Sequence, residues 1–99
     1  MTTEAVLYIL VGPFDAETAM RIRDELEHLP ADQPVTLDFT KARVPSLCTL
    51  TAFFEAMTRL GPRPLATRGL SAHQLTVLRY CGLDLEALGW EHHELSASA

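Results

Sequence analysis

Three short runs of β-forming residues, Ala5–Val11, Val35–Phe39 and Leu65–Thr67, alternate with three stretches in which apolar residues recur at helical spacing. No other feature of the chain restricts its fold as much. A strand that is followed by a helix and then by another strand returns to the same end of a sheet. The alternation therefore predicts an α/β domain on a largely parallel sheet.

The first run ends at Gly12-Pro13, a turn signal, and its nearly unbroken apolar character reads as a strand buried on both faces. Asp15 is a suitable N-cap for a helix over Ala16–His28, whose core stripe is Ala19, Ile22 and Leu26. Leu29-Pro30-Ala-Asp-Gln-Pro34 stops that helix, and Val35–Phe39 follows as a second strand. Leu47–Leu60 is the second helix, with Leu47, Leu50, Phe53, Phe54, Met57 and Leu60 on a wide apolar face and Glu55 and Arg59 as its only charges. Gly61-Pro-Arg-Pro64 ends it, and Leu65–Thr67 is a weak third strand. Ser71 is placed to cap a helix over Ala72–Cys81, and Gly82 stands where a C-cap glycine belongs. Asp84–Leu88 reads as one further helical turn, Gly89–Leu95 as an edge strand and Ser96–Ala99 as a frayed end.

Ninety-nine residues, 47% hydrophobic and 21% charged, suit a single globular domain over 1–99, with its core at about 5–88. The net charge is −5 and the basic residues are scattered, which speaks against a nucleic-acid partner. The apolar stretches Ala5–Val11 and Leu47–Phe54 are too short to span a bilayer, and Met-Thr-Thr-Glu lacks the features of a signal peptide. A cytoplasmic protein without direct membrane insertion is expected. The two cysteines, Cys48 and Cys81, form neither a CxxC pair nor a zinc set and read as small core residues.

Gly12-Pro-Phe-Asp15-Ala-Glu-Thr18-Ala19 resembles the Gly-x-Leu-Asp-x-x-Thr-Ala signature of STAS domains, the sulfate-transporter and anti-sigma-factor-antagonist modules. Val35-Thr-Leu-Asp38-Phe-Thr40 is similar to that family's central strand, and Gly69–Leu83 resembles its late helix ending in Gly-Leu. The likeness covers residues 5 to 85 and implies a small STAS-like α/β domain. A short mixed sheet would carry helices mainly on one side, and its first family strand would be truncated, because about four residues precede Ala5. It also implies a binding module and not an enzyme, with no cofactor and with another protein as partner.

The family's switch is a strand–loop–helix junction with the motif Asp-Ser-Ser/Thr-Gly, in which the helix-start hydroxyl is phosphorylated by a partner kinase. Counted without gaps from Asp38, this chain has Ser46 at the Asp, Leu47 at the first Ser, Cys48 at the acceptor and Thr49 at the Gly. The acceptor hydroxyl and the local acid are both missing in that register. A one-residue slip would bring Thr49 to the acceptor place, and Ser46 is itself a hydroxyl at the junction. Ser46 and Thr49 are thus the candidate phosphosites, although each has an ordinary reading, as an N-cap and as a helical Thr. Pro45, Ser46, Leu47, Cys48 and Thr49 form the degenerate switch loop. Glu55 and Arg59, with Thr51 and Thr58, are the outward helix positions that would touch a partner.

The expected function is a non-catalytic protein-interaction module resembling an anti-sigma-factor antagonist, without the usual phosphorylatable residue. Its partner would be an anti-sigma-kinase-like protein. Two alternatives stand beside it. STAS-like proteins of this size also resemble cytoplasmic accessory subunits of lipid-transport ATPases, which would make the partner a transporter subunit. A thiol-based redox sensor could use Cys48, in the first helical turn where thiolates are stabilised, although a small residue packed under the loop is the plainer reading. Dimers through a sheet edge or a hydrophobic helix face are a further alternative. Glu91-His-His-Glu94 looks like a metal cluster, but adjacent strand histidines point to opposite faces, and Ala97 stands where HExxH needs its second His. His28 and His73 are isolated on helices, and Trp90 reads as a lid on the core or as an anchor for a partner. No phosphate-cradling or nucleophile-elbow motif occurs.

Overall fold

The computed structural model describes residues 5–60, 63–85 and 90–93. In chain order these form β1 (Val6–Pro13), α1 (Ala16–Glu27), β2 (Val35–Arg43), α2 (Leu47–Arg59), β3 (Leu65–Arg68), α3 (Ala72–Tyr80) and β4 (Glu91–His93). The expected helical turn at Asp84–Leu88 lies largely outside the described residues. So do the Gly61-Pro62 stop, the outer residues of the last strand and the frayed end.

The sheet order is β1-β2-β3-β4, and all three pairings are parallel. The expectation of a mixed sheet is corrected on this point. Each pair of consecutive strands is joined by a crossover, which turns the chain through a full reversal before the next strand begins. A monotonic order with crossovers of one hand also lays the helices on a single face.

Burial follows that one-sided arrangement. Leu10 on β1, Val35, Leu37 and Phe39 on β2, and Leu65 and Thr67 on β3 are buried beneath the helices. Against them pack Ala19, Ile22 and Leu26 of α1, Leu50, Phe53, Phe54 and Met57 of α2, and Leu78 of α3. β1 is therefore not buried on both faces. Leu7, Ile9 and Val11 are 48%, 54% and 72% exposed, because their face of the sheet carries no helix among the described residues.

β2 runs four residues further than its apolar stretch suggests. Its register with β1 slips between Ile9 and Val11, so that Val11, Gly12 and Pro13 meet Lys41, Ala42 and Arg43. The slip disturbs the ladder beside Thr40, whose N–H is instead taken by the Asp38 carboxylate at 2.8 Å. Gly69, with φ of 86°, packs onto the same place. A Cβ there would lie 2.4 Å from the Thr40 nitrogen.

The helix ends have identifiable causes. Asp15 accepts from the Thr18 N–H at 2.9 Å to start α1. Ser71 and Gln74 form a reciprocal capping box on α3. α3 closes in a Schellman arrangement, with Gly82 at φ 81° and Leu83 donating to the Leu78 carbonyl at 2.8 Å. α1 has no basic residue in its last turn. The buried Arg63 guanidinium supplies one from the α2–β3 connection, donating to the Leu26 carbonyl at 2.8 Å.

Phe54, which has no exposed surface, touches the rings of Phe39, Phe53 and Trp90. Phe54→Ala should lower unfolding free energy by about 3–5 kcal/mol in urea titration. Gly69→Ala should cost more than Gly82→Ala in the same assay. Both glycines have positive φ, but only at Gly69 does the added methyl meet backbone.

Candidate functional site

All three helices begin at the carboxyl end of the parallel sheet, where their caps, Asp15, Ser46 and Ser71, follow β1, β2 and β3. Ligand crevices in open α/β sheets form at this end, at the point where the strand order reverses. The order here never reverses among the described strands. The loops thus follow one another along one side and do not part around a cleft. This end presents a surface.

The β2–α2 junction lies in the middle of that surface. Ser46 is the N-cap of α2: its backbone is extended, and its Oγ accepts the Cys48 N–H at 3.2 Å. Pro45 and Cys48 are exposed, and Ser46, Leu47 and Thr49 are half-buried. The ordinary reading of Ser46 as a cap is borne out. Lys41 and Arg43, at the end of β2, are exposed. The Arg43 carbonyl accepts the Phe14 N–H at 2.7 Å, which ties the junction to the start of α1.

From Cys48 an exposed stripe continues along α2 through Ala52, Glu55 and Arg59. These positions recur every three or four residues and lie on one face of a helix. Glu55 and Arg59 form an ion pair of 2.8 Å. Both ends of the pair are more than half exposed, so it contributes little to stability and leaves the groups available. Thr58 is exposed, and its hydroxyl donates to the Glu55 carbonyl at 2.6 Å. Thr51 is half-buried, its hydroxyl turned back to the Cys48 carbonyl at 3.0 Å, so it contributes less to the outward face than expected. Ala52 went unnoticed in the sequence because a methyl group carries no chemical signal. Its place four residues after Cys48 would have revealed it.

Neither cysteine is a core residue, contrary to expectation: both are exposed. Cys48 occupies the outward side of the first turn of α2, and Cys81 is the C-cap of α3, where the chain leaves the helix face that packs inward. Trp90 lids the core, 7% exposed with its ring 6.0 Å from that of Phe54. Of the Glu91-His-His-Glu94 run, Glu91–His93 form β4, and Glu94 lies outside the described residues. No cluster of metal-ligating side chains is present among the described residues. Nor is any helix among them long and apolar enough to cross a membrane. A groove of about 700 Å³ runs along α1 past Tyr8, Met20, Arg21, Glu25 and His28, away from the junction.

Two carboxyls near the carboxyl end of the sheet titrate below their ordinary value of 3.8. Asp15 is lowered chiefly by the Thr18 N–H, with help from the Thr18 hydroxyl. Asp38 is lowered chiefly by the Thr40 hydroxyl, against the effect of burial, with the Thr40 N–H, Arg68 and Lys41 adding to it. Arg68 approaches Asp38 to 4.0 Å across the β2–β3 pair.

Compared with models of known protein families and with curated protein sequences, the chain matches none of them.

A carboxyl whose pKa is lower folded than unfolded stabilises the protein above its unfolded value, and that stability is lost as pH falls through the folded one. Acid titration of unfolding should therefore show stability declining from just above 3.8 downward. Asp38→Asn should flatten that decline. Asp15→Asn should flatten it too while leaving neutral-pH stability nearly unchanged, because Asn is an equally good cap.

Proposed function

We propose that this chain is a non-catalytic protein-interaction module of the STAS type, resembling an anti-sigma-factor antagonist. It recognises another protein through the β2–α2 loop and the outward face of α2, and it does so without a phosphoswitch. The observation that carries this reading is the stripe Cys48, Ala52, Glu55, Arg59. It leads from the junction along a helix whose exposed surface holds one ion pair among small and uncharged side chains. Such a face lets a partner approach closely over its small side chains, with the ion pair placed to give the contact its specificity.

The state of the hydroxyls supports the second half of the proposal. Ser46 Oγ is engaged in capping, and Thr49 is half-buried. The residue at the acceptor place in the ungapped register is Cys48, whose thiol is not a substrate for a Ser/Thr kinase. The monotonic strand order, which forms no ligand crevice, accords with a binding role and no catalysis. The partner is a cytoplasmic protein, an anti-sigma-kinase-like regulator in this reading. The exposure of Cys48 favours one second reading, a thiol sensor. Alkylation kinetics of Cys48 across pH would reveal it as unusually fast labelling at neutral pH.

Capture of partners from the native cell, with intact-mass analysis of the purified protein, tests the reading. The wild-type chain should recover a specific protein. Glu55→Arg should reduce recovery by at least tenfold, because it replaces the attractive pair with two like charges on the contact face. The purified chain itself should carry no phosphate. Stoichiometric phosphate on Ser46 or Thr49 would restore the switch and sink the second half of the proposal. Recovery unchanged by both Glu55→Arg and Arg59→Ala would sink the first.

A further inference from the structure

The two edges of the sheet are unlike. β4 has three residues, Glu91-His-His93, and is short and polar. β1 has eight residues and carries no charged side chain, and proline enters only at its last position, Pro13. Long apolar edges are hazards that proteins normally blunt with charge, proline or a covering segment. None of these devices guards Val6–Gly12 among the described residues.

The backbone phase of β1 makes the edge more specific than that. The Val6 N–H bonds the Pro34 carbonyl at 2.9 Å and the Phe14 N–H bonds the Arg43 carbonyl at 2.7 Å, so even-numbered residues direct their polar groups toward β2. Along a strand, alternate residues direct theirs to opposite edges. The outward groups therefore belong to Leu7, Ile9 and Val11. These are the same residues whose side chains form the exposed apolar stripe. Hydrogen-bonding capacity and apolar surface coincide on one set of residues.

We infer that β1 is a homodimer interface, in which the edges of two copies pair antiparallel about a two-fold axis at Ile9. In that register Ile9 faces Ile9 of the second copy, and Leu7 faces Val11 in both directions. Each is a pair of the kind that exchanges both backbone hydrogen bonds. Their side chains join into one apolar band on the open face. On the helix face Tyr8 stands opposite Leu10. The ladder limits itself, because the next outward pair sets Ala5 against Pro13, which has no N–H to donate.

Charge selects a second copy over an arbitrary strand. A groove of about 310 Å³ beside the β1 edge is walled by Thr18, Arg21, Ile22 and Glu25 of α1. Glu25 lies close enough to Tyr8 to add to the effect of burial in raising its phenol pKa. α1 runs back along β1, so the part of it beside Ile9 lies between Arg21 and Glu25. A two-fold axis there brings Arg21 of each copy toward Glu25 of the other, an exchange that a self-complementary interface requires. The α2 face of the proposed function stays uncovered in this dimer, so the two ideas fail separately.

Sedimentation equilibrium at micromolar concentration tests the inference. The wild type should sediment at twice its 11.0 kDa chain mass. Ile9→Lys and Ile9→Glu should each sediment as monomers with unchanged far-UV circular dichroism, since the side chain is more than half exposed. An equimolar mixture of the two should recover the dimer, because Lys then faces Glu across the axis. Val11→Lys, at the most exposed position of the stripe, should also dissociate the dimer and serves as a second variant if either Ile9 variant loses structure. A monomeric wild type would overturn the inference and leave the edge to a strand from a different protein. A dimer that survives both Ile9→Lys and Val11→Lys would overturn it as well, by placing the contact elsewhere.

Discussion

Phe14 meets Phe39 and Phe53 edge-on, with ring centroids 5.2 Å away in both cases, and the rest of the domain is arranged around that contact. Phe14 follows β1, Phe39 lies in β2 and Phe53 in α2. Phe53 meets Phe54 at 5.3 Å, and Phe54 reaches Trp90, just before β4. One run of aromatic rings thus joins elements from both edges of the sheet. Edge-to-face pairs hold their geometry as well as burying area, so the run sets how α2 lies across the sheet. That placement determines which side of α2 is left outside.

The junction depends on the same constraint. With Phe53 and Phe54 drawn inward, Cys48, Ala52, Glu55 and Arg59 must face out, and Ser46 is left to cap the first turn. At the base of the loop, β2 slips against β1, the Asp38 carboxylate takes the Thr40 N–H, and the close approach of Gly69 packs the end of β3 onto the same point of β2. The surface at this end is therefore held by backbone contacts as well as by its caps. A platform held in this way lowers the ordering cost of recognition, which suits the proposed binding role.

A monotonic strand order has a further consequence: among the described residues, one face of the sheet has no helix over it. In the middle of that face the residues are small, polar or ion-paired, as with Ala66, Thr36 and the Asp38–Arg68 pair. At the β1 edge they are Leu7, Ile9 and Val11. The domain thus has two surfaces of different character, a lightly charged helix face and an apolar strand edge, on opposite sides of its core.

Much of the architecture was legible from local chemistry. Periodicity located the three helices, and Asp15, Ser46 and Ser71 announced their starts, because a cap acts on N–H groups only two or three residues away. Gly82 marked the end of α3 for the same reason. The β2–α2 junction was legible as well, with Ser46 as the cap of its helix. What could not be read were the quantities that depend on neighbours distant in sequence. An apolar run such as Val6–Val11 looks alike whether one or both faces are covered, and the cover depends on where the helices cross. The polar residues Thr40–Arg43 join β2 only because β1 lies beside them. Cys48 and Cys81 have the composition of core residues, and their helix geometry turns them outward. The sequence by itself determined the alternating elements and their caps, since those arise within a few residues of chain. The tertiary structure alone decided the wholly parallel order, the open face and the exposed stripe of α2, since each follows from packing between segments tens of residues apart.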